Sequence, residues 1–131
     1  MHPFLQLYRY VNILSLDVVA GAVAGALFFA SILNVPVTFY ALAALALTVW
    51  IVYTLDHLRD ALFITRVAST DRHRYHQDHF TILSLVVLVL AILDLTLILF
   101  LPAPLFEAGW ALGIVVVLYL LLQRYLMFMK E

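Results

Sequence analysis

VTFYALAALALTVWIVYTLDHLRDALF, residues 37–63, runs for nineteen positions without a charged side chain, then meets Asp56, Arg59 and Asp60. An α-helix rises 1.5 Å per residue, so about 20 apolar residues cross a hydrocarbon core roughly 30 Å thick. The stretch reads as a membrane-spanning helix whose last turns emerge into water carrying two carboxylates. Working outward, residues 11–33, 80–101 and 106–128 are equally apolar. Asn34 and Pro36 break the first pair of spans, and Pro102 and Pro104 the last pair, because proline disfavours helix at the residue before it. The expected fold class is all-α: an integral membrane protein of four transmembrane helices, one domain over residues 1–131, with a polar loop at 64–79.

Composition agrees. Hydrophobic residues make up 66% of the chain and charged residues 11%, against about half and a quarter in soluble domains. A core built from 131 residues cannot hide that much apolar surface, so lipid must cover the rest. The net charge of −1 gives no field to attract nucleic acid, and no such partner is expected. Absence of cysteine excludes disulfides and thiolate chemistry. No cleavable signal peptide is expected, since the first apolar stretch is long and lacks a short basic leader. No internal repeat is visible.

Arg9, Arg59, Arg66, Arg72, Arg74, Arg124 and Lys130 all lie near the termini or the 64–79 loop. The positive-inside bias then places both termini and that loop in the cytoplasm, with Tyr8, Tyr10 and Tyr125 at the inner interface and Trp110 at the outer.

Ionisable groups inside a span cost a few kcal/mol on insertion scales, so Asp17, Asp56, Asp60 and Asp94 each need a reason. Asp56 and Asp60 stand four apart and share a helical face, flanked by Tyr53 and His57. Like charges at that spacing repel unless a cation lies between them. Hard oxygen ligands at a water-accessible mouth suit Mg²⁺, which often bridges to phosphate. The alternative is a pair of solvated carboxylates balanced by nearby arginines. Asn12, Ser15 and Asp17, near the inner end of the first span, are candidates for the opposite wall of a polar pocket. Gly21 and Gly25 permit close approach of another helix, expected within the chain.

The loop sequence TDRHRYHQDH, residues 70–79, offers Asp71 as a helix N-cap. Arg72 and Arg74 are candidate phosphate contacts, because guanidinium matches phosphate oxygens in pairs, and His76 stands beside them. His73, His76 and His79 pose a competing transition-metal reading, although their spacing spreads them around a helix. A third reading is a basic segment touching anionic head groups.

YTLDHLRD, residues 53–60, followed by DRHRYH, residues 71–76, resembles the first aspartate motif and following loop of the UbiA-type intramembrane prenyltransferases. The resemblance covers the whole chain in topology and two short stretches in residues. It implies one four-helix repeat, half of a UbiA-like bundle. It further implies Mg²⁺ on Asp56 and Asp60, and an isoprenoid diphosphate contacted by Arg72 and Arg74, with Tyr53, His57, His76, Asn12 and Asp17 around it. Val52 stands where that family usually has asparagine, and a second aspartate motif is not in the sequence. A parallel homodimer, or a partner chain, is expected to supply the second half of the site. The expected function is Mg²⁺ and isoprenoid diphosphate binding, with prenyl transfer as the possible reaction and no catalytic residue assigned. The alternative is a non-catalytic lipid- or quinone-binding or scaffolding module, or a subunit of a larger membrane complex.

Overall fold

The computed structural model describes residues 2–64 and 66–130. Six α-helices follow one another: α1 (Pro3–Ile13), α2 (Leu16–Leu33), α3 (Phe39–Phe63), α4 (Asp71–Asp78), α5 (Phe80–Ile98) and α6 (Ala103–Lys130). There is no strand among the described residues. Four helices, α2, α3, α5 and α6, are long and apolar enough to cross a membrane, and the chain is an integral membrane protein.

Sequence chemistry sets most of the helix ends. Thr38 caps α3, its hydroxyl accepting from the Ala41 amide at 3.3 Å. Asn34 closes α2 in the left-handed conformation, φ 51°, which asparagine tolerates better than most residues. The first apolar stretch departs from the single helix expected from Val11. It breaks at Leu14 and Ser15, and α1 begins much earlier, at Pro3, where a proline without an amide hydrogen suits the first turn. Ser15 takes φ 56°, a conformation costing a non-glycine residue roughly 1–2 kcal/mol. The turn is held by the Ser15 amide donating to the Asn12 carbonyl at 3.2 Å.

The chain divides into two compact units, Met1–Leu99 and Phe100–Glu131. The second contains α6. In the first, α3 packs against α2, α4 and α5. Leu58, Leu83 and Val87 form its buried apolar cluster, with Trp50, Ile51, Tyr75 and Phe80 against it. Phe28, Phe29, Leu85, Val89 and Ile92 stay exposed, as lipid-facing side chains do. Lipid tails are as apolar as leucine, so dispersion and close packing hold this cluster together more than any transfer from water.

Two polar features lie within the spans. Thr48 on α3 donates to Asp94 Oδ2 on α5 at 2.6 Å, and Asp94 is buried. At Gly21 and Gly25 an added Cβ meets nothing within 4 Å. The close intramolecular approach expected at these two positions is not made within the first unit.

Candidate functional site

The polar end of the first unit is built by α1, the start of α2, the last turns of α3, and α4. The face of α3 turned inward carries Thr54, His57 and Leu58, all buried. His57 is one residue, and so about 100° of helix rotation, away from Asp56. Inward His57 therefore leaves Asp56 exposed, while Asp60, three residues on from His57, stays on the inner side.

A short helix then folds back. Thr70, not Asp71, is the N-cap of α4: its hydroxyl accepts from the His73 amide at 3.4 Å and lies 2.8 Å from His73 Nδ1. Gln77 fastens the preceding loop, donating to the Ile64 and Arg66 carbonyls and accepting from the Ala68 amide at 3.0 Å. Arg74 donates to the Ala68 carbonyl from the other side. With the loop fixed, His73 Nε2 comes to 3.5 Å from Asp60 Oδ2. One ligand atom from each of His57, Asp60 and His73 lies within 4.8 Å of the others. His76 adds a third imidazole, its ring centroid 5.0 Å from that of His57.

Arg72 ties α4 to α1, donating to both the carbonyl and Oδ1 of Asn12 at 3.0 and 2.9 Å. Asn12 in turn donates to the exposed Asp17 at 3.2 Å. Arg9 pairs with Asp71 at 3.0 Å. Ser15, 1% exposed, holds His57 Nε2 at 3.3 Å. An open cleft of about 530 Å³ is lined by Tyr8, Arg9, Asn12, Thr70, Arg72 and both His57 and His73, among others. That volume lies within the range of small-ligand sites, about 300–1,000 Å³.

Of the residues expected at the site, Asn12, His57 and Arg72 line the cleft, and Asp60 and His76 stand beside His57. Asp17 is joined to the cleft only through Asn12. Tyr53 is exposed, and Arg74 is committed to the loop backbone. Among the described residues, Asp56 belongs to no group of three metal-ligating side chains. What converges on Asp60 is imidazole, a donor better suited to transition metals than to Mg²⁺. His79 turns away to stack on Tyr75, centroids 4.2 Å apart. His73 was visible in the sequence, but among different partners. Ser15, Thr70 and Gln77, which position the imidazoles and the loop, carry no motif beyond the cap-forming hydroxyl of Thr70.

His76 sets a pH limit on this packing. Burial above all, helped by the charges of His73, Arg72 and His79, lowers its pKa below the ordinary 6.5, against the raising effect of its Nδ1–H donating to the Arg72 carbonyl. The unfolded chain then takes up the proton first as pH falls. Stability from neutral His76 is fully present above about pH 6.5 and is lost as pH drops through the lowered folded value. Melting temperature in detergent should fall on acidification below that point, and a His76→Phe variant should show a flatter profile. An equally steep fall in the variant would place the titration elsewhere.

No family model, curated protein sequence or solved structure matches this chain.

Proposed function

We propose that this chain is a UbiA-like membrane protein that binds the diphosphate head of an isoprenoid lipid at the polar end of its first unit. The observation that carries the reading is the cleft. Two arginines, Arg9 and Arg72, line it together with metal-capable imidazoles beside the ends of apolar spans. A diphosphate would exchange for their present partners, Asp71 and Asn12. Diphosphate needs cationic donors in pairs, and an isoprenoid tail needs lipid-like surface beside them.

The basic residues Arg9, Arg59, Arg66, Arg72 and Arg74 gather in the segments that build this end, so the positive-inside bias makes it cytoplasmic. A divalent cation would neutralise charge on the diphosphate, and the resemblance assigns Mg²⁺ to Asp56 and Asp60. Of these, Asp60 stands beside the cleft-lining His73, while Asp56 is exposed and does not line the cleft. If prenyl transfer follows, the bond between the prenyl carbon and the diphosphate oxygen breaks with the electron pair leaving on the oxygen. The carbon bonds to a nucleophilic acceptor held in the bilayer, and the acceptor's displaced proton passes to water or to the released diphosphate. Arg9 and Arg72 then stabilise the charge that grows on the leaving group. A second copy, or a partner chain, facing the cleft would complete the ligand set.

The test is thermal melting of the purified protein in detergent with farnesyl diphosphate, pyrophosphate or farnesol, each with Mg²⁺ and with EDTA. A ligand at 100 times its Kd adds about 2.7 kcal/mol to the native state. Farnesyl diphosphate should stabilise more than either half alone, and Arg9→Gln should weaken that effect severalfold with little change to the unliganded melt. The Arg9–Asp71 pair is exposed, and exposed pairs contribute about 1 kcal/mol or less. Equal stabilisation by farnesol would refute diphosphate recognition and favour the neutral-lipid or quinone module.

A further inference from the structure

The structure assigns a transition-metal site to His57, Asp60 and His73, a two-imidazole, one-carboxylate centre of the kind that takes Zn²⁺, Co²⁺ or Mn²⁺. Three observations carry it. The first is convergence: one ligand atom of each residue lies within 4.8 Å of the other two, although they come from two helices separated by a loop. Zinc bonds of about 2.0–2.1 Å put tetrahedral ligands roughly 3.4 Å apart, so closure by up to about 1.4 Å would complete the site. Asp60 and His73 can supply that movement, with side chains 48% and 31% exposed.

The second observation is an orphan. His57 is 8% exposed, and its Nδ1 is buried with no hydrogen-bond partner. Buried polar nitrogens are rarely left so, and a metal ion would take up its lone pair.

The third is the outer support. Ligating histidines usually have their second nitrogen held by a fixed partner, which sets the tautomer and the ring angle. Here the Ser15 hydroxyl lies at 3.3 Å from His57 Nε2 and the Thr70 hydroxyl at 2.8 Å from His73 Nδ1. When those nitrogens carry the protons, His57 Nδ1 and His73 Nε2 are left as lone pairs, and His73 Nε2 is the atom 3.5 Å from Asp60. The buried, left-handed Ser15 at the α1–α2 break thereby has a chemical reason. Three protein ligands leave a coordination position for water or a phosphate oxygen, as in open metal sites, and both imidazoles line the cleft.

This inference rests on the cluster alone and stands apart from the isoprenoid reading. Its ligand set shares Asp60 with the Asp56–Asp60 pair, so His73 and Asp56 are the positions that separate the two. The test uses the full chain in detergent, stripped with EDTA and titrated with Co²⁺ while following its visible d–d absorption, then displaced with Zn²⁺. The half-exposed positions allow His73→Ala and Asp60→Asn without disturbing the core, and each should weaken binding by at least 10- to 100-fold. Loss of a supporting partner alone typically costs that much, and Ser15→Ala should fall within the same range. Asp56→Asn should leave Co²⁺ binding unchanged.

Absence of d–d bands, or bands that persist in His73→Ala, would overturn the site. Loss in Asp56→Asn equal to that in Asp60→Asn would also overturn it, and would move the metal to the aspartate pair. Farnesyl diphosphate stabilisation with Mg²⁺ in the His73→Ala variant would leave the isoprenoid reading standing even where the Co²⁺ site failed. A Co²⁺ site with no diphosphate effect would give the reverse result.

Discussion

Arg72→Ala should lower the stability of the first unit by about 2–4 kcal/mol and abolish ligand effects at the cleft. The Arg72 guanidinium donates two hydrogen bonds to Asn12, and it is only partly exposed. Hydrogen bonds to charged groups contribute about 1.5–3 kcal/mol each, and stripping one partner leaves the other unsatisfied. The Asn12 carbonyl also accepts from the Ser15 amide, so the loss falls on Asn12 Oδ1 and on the tie between α1 and α4. Losing Arg72 therefore frees α1 from α4 and widens the cleft. Arg72→Lys keeps the charge but offers no planar fork, so it should recover less than half of the loss. Detergent melts of the three proteins check this; a full rescue by lysine would mean that only charge matters.

Thr48→Val should destabilise by about 2 kcal/mol, whereas Asp94→Leu should be neutral or stabilising. The asymmetry follows from burial in a span. Thr48 is the one hydrogen-bond donor to Asp94 among the described residues, and Asp94 Oδ1 already lacks a partner. Valine would leave the whole carboxyl group unsatisfied, at about 1–3 kcal/mol. Leucine removes the polar group altogether, and Thr48 can turn its hydroxyl to the carbonyl four residues back in α3. The double variant should match Asp94→Leu. Steric trapping or thermal melts of all four proteins give the coupling; an Asp94→Leu variant as damaged as Thr48→Val would show that the pair is worth more than its burial costs.

The spans were legible because nineteen uncharged positions before Asp56 leave a helix in water no alternative to lipid. The break at Ser15 was not, since the apolar run continues through it and a left-handed serine has no sequence signature of its own. Asp56 and Asp60 do share a helical stripe, but spacing cannot say which face of α3 turns inward. Packing of Thr54 and Leu58 decided that, and it brought His57 rather than Asp56 into the interior. His73 groups in the sequence with His76 and His79 because all three sit on one short segment. Its partners came from α3, through a fold-back fixed by Gln77 and Arg74 binding to loop carbonyls. Such tertiary contacts between side chain and backbone leave no pattern in the local sequence.

The most direct measurement is cross-linking by a photoreactive analogue of farnesyl diphosphate, with the label on the diphosphate side, followed by peptide mapping. The account predicts labelling in α1 and α4, around Tyr8–Ile13 and Thr70–His73, competed by farnesyl diphosphate and not by farnesol. Labelling spread along the apolar lengths of α2 and α5, indifferent to farnesyl diphosphate, would contradict it.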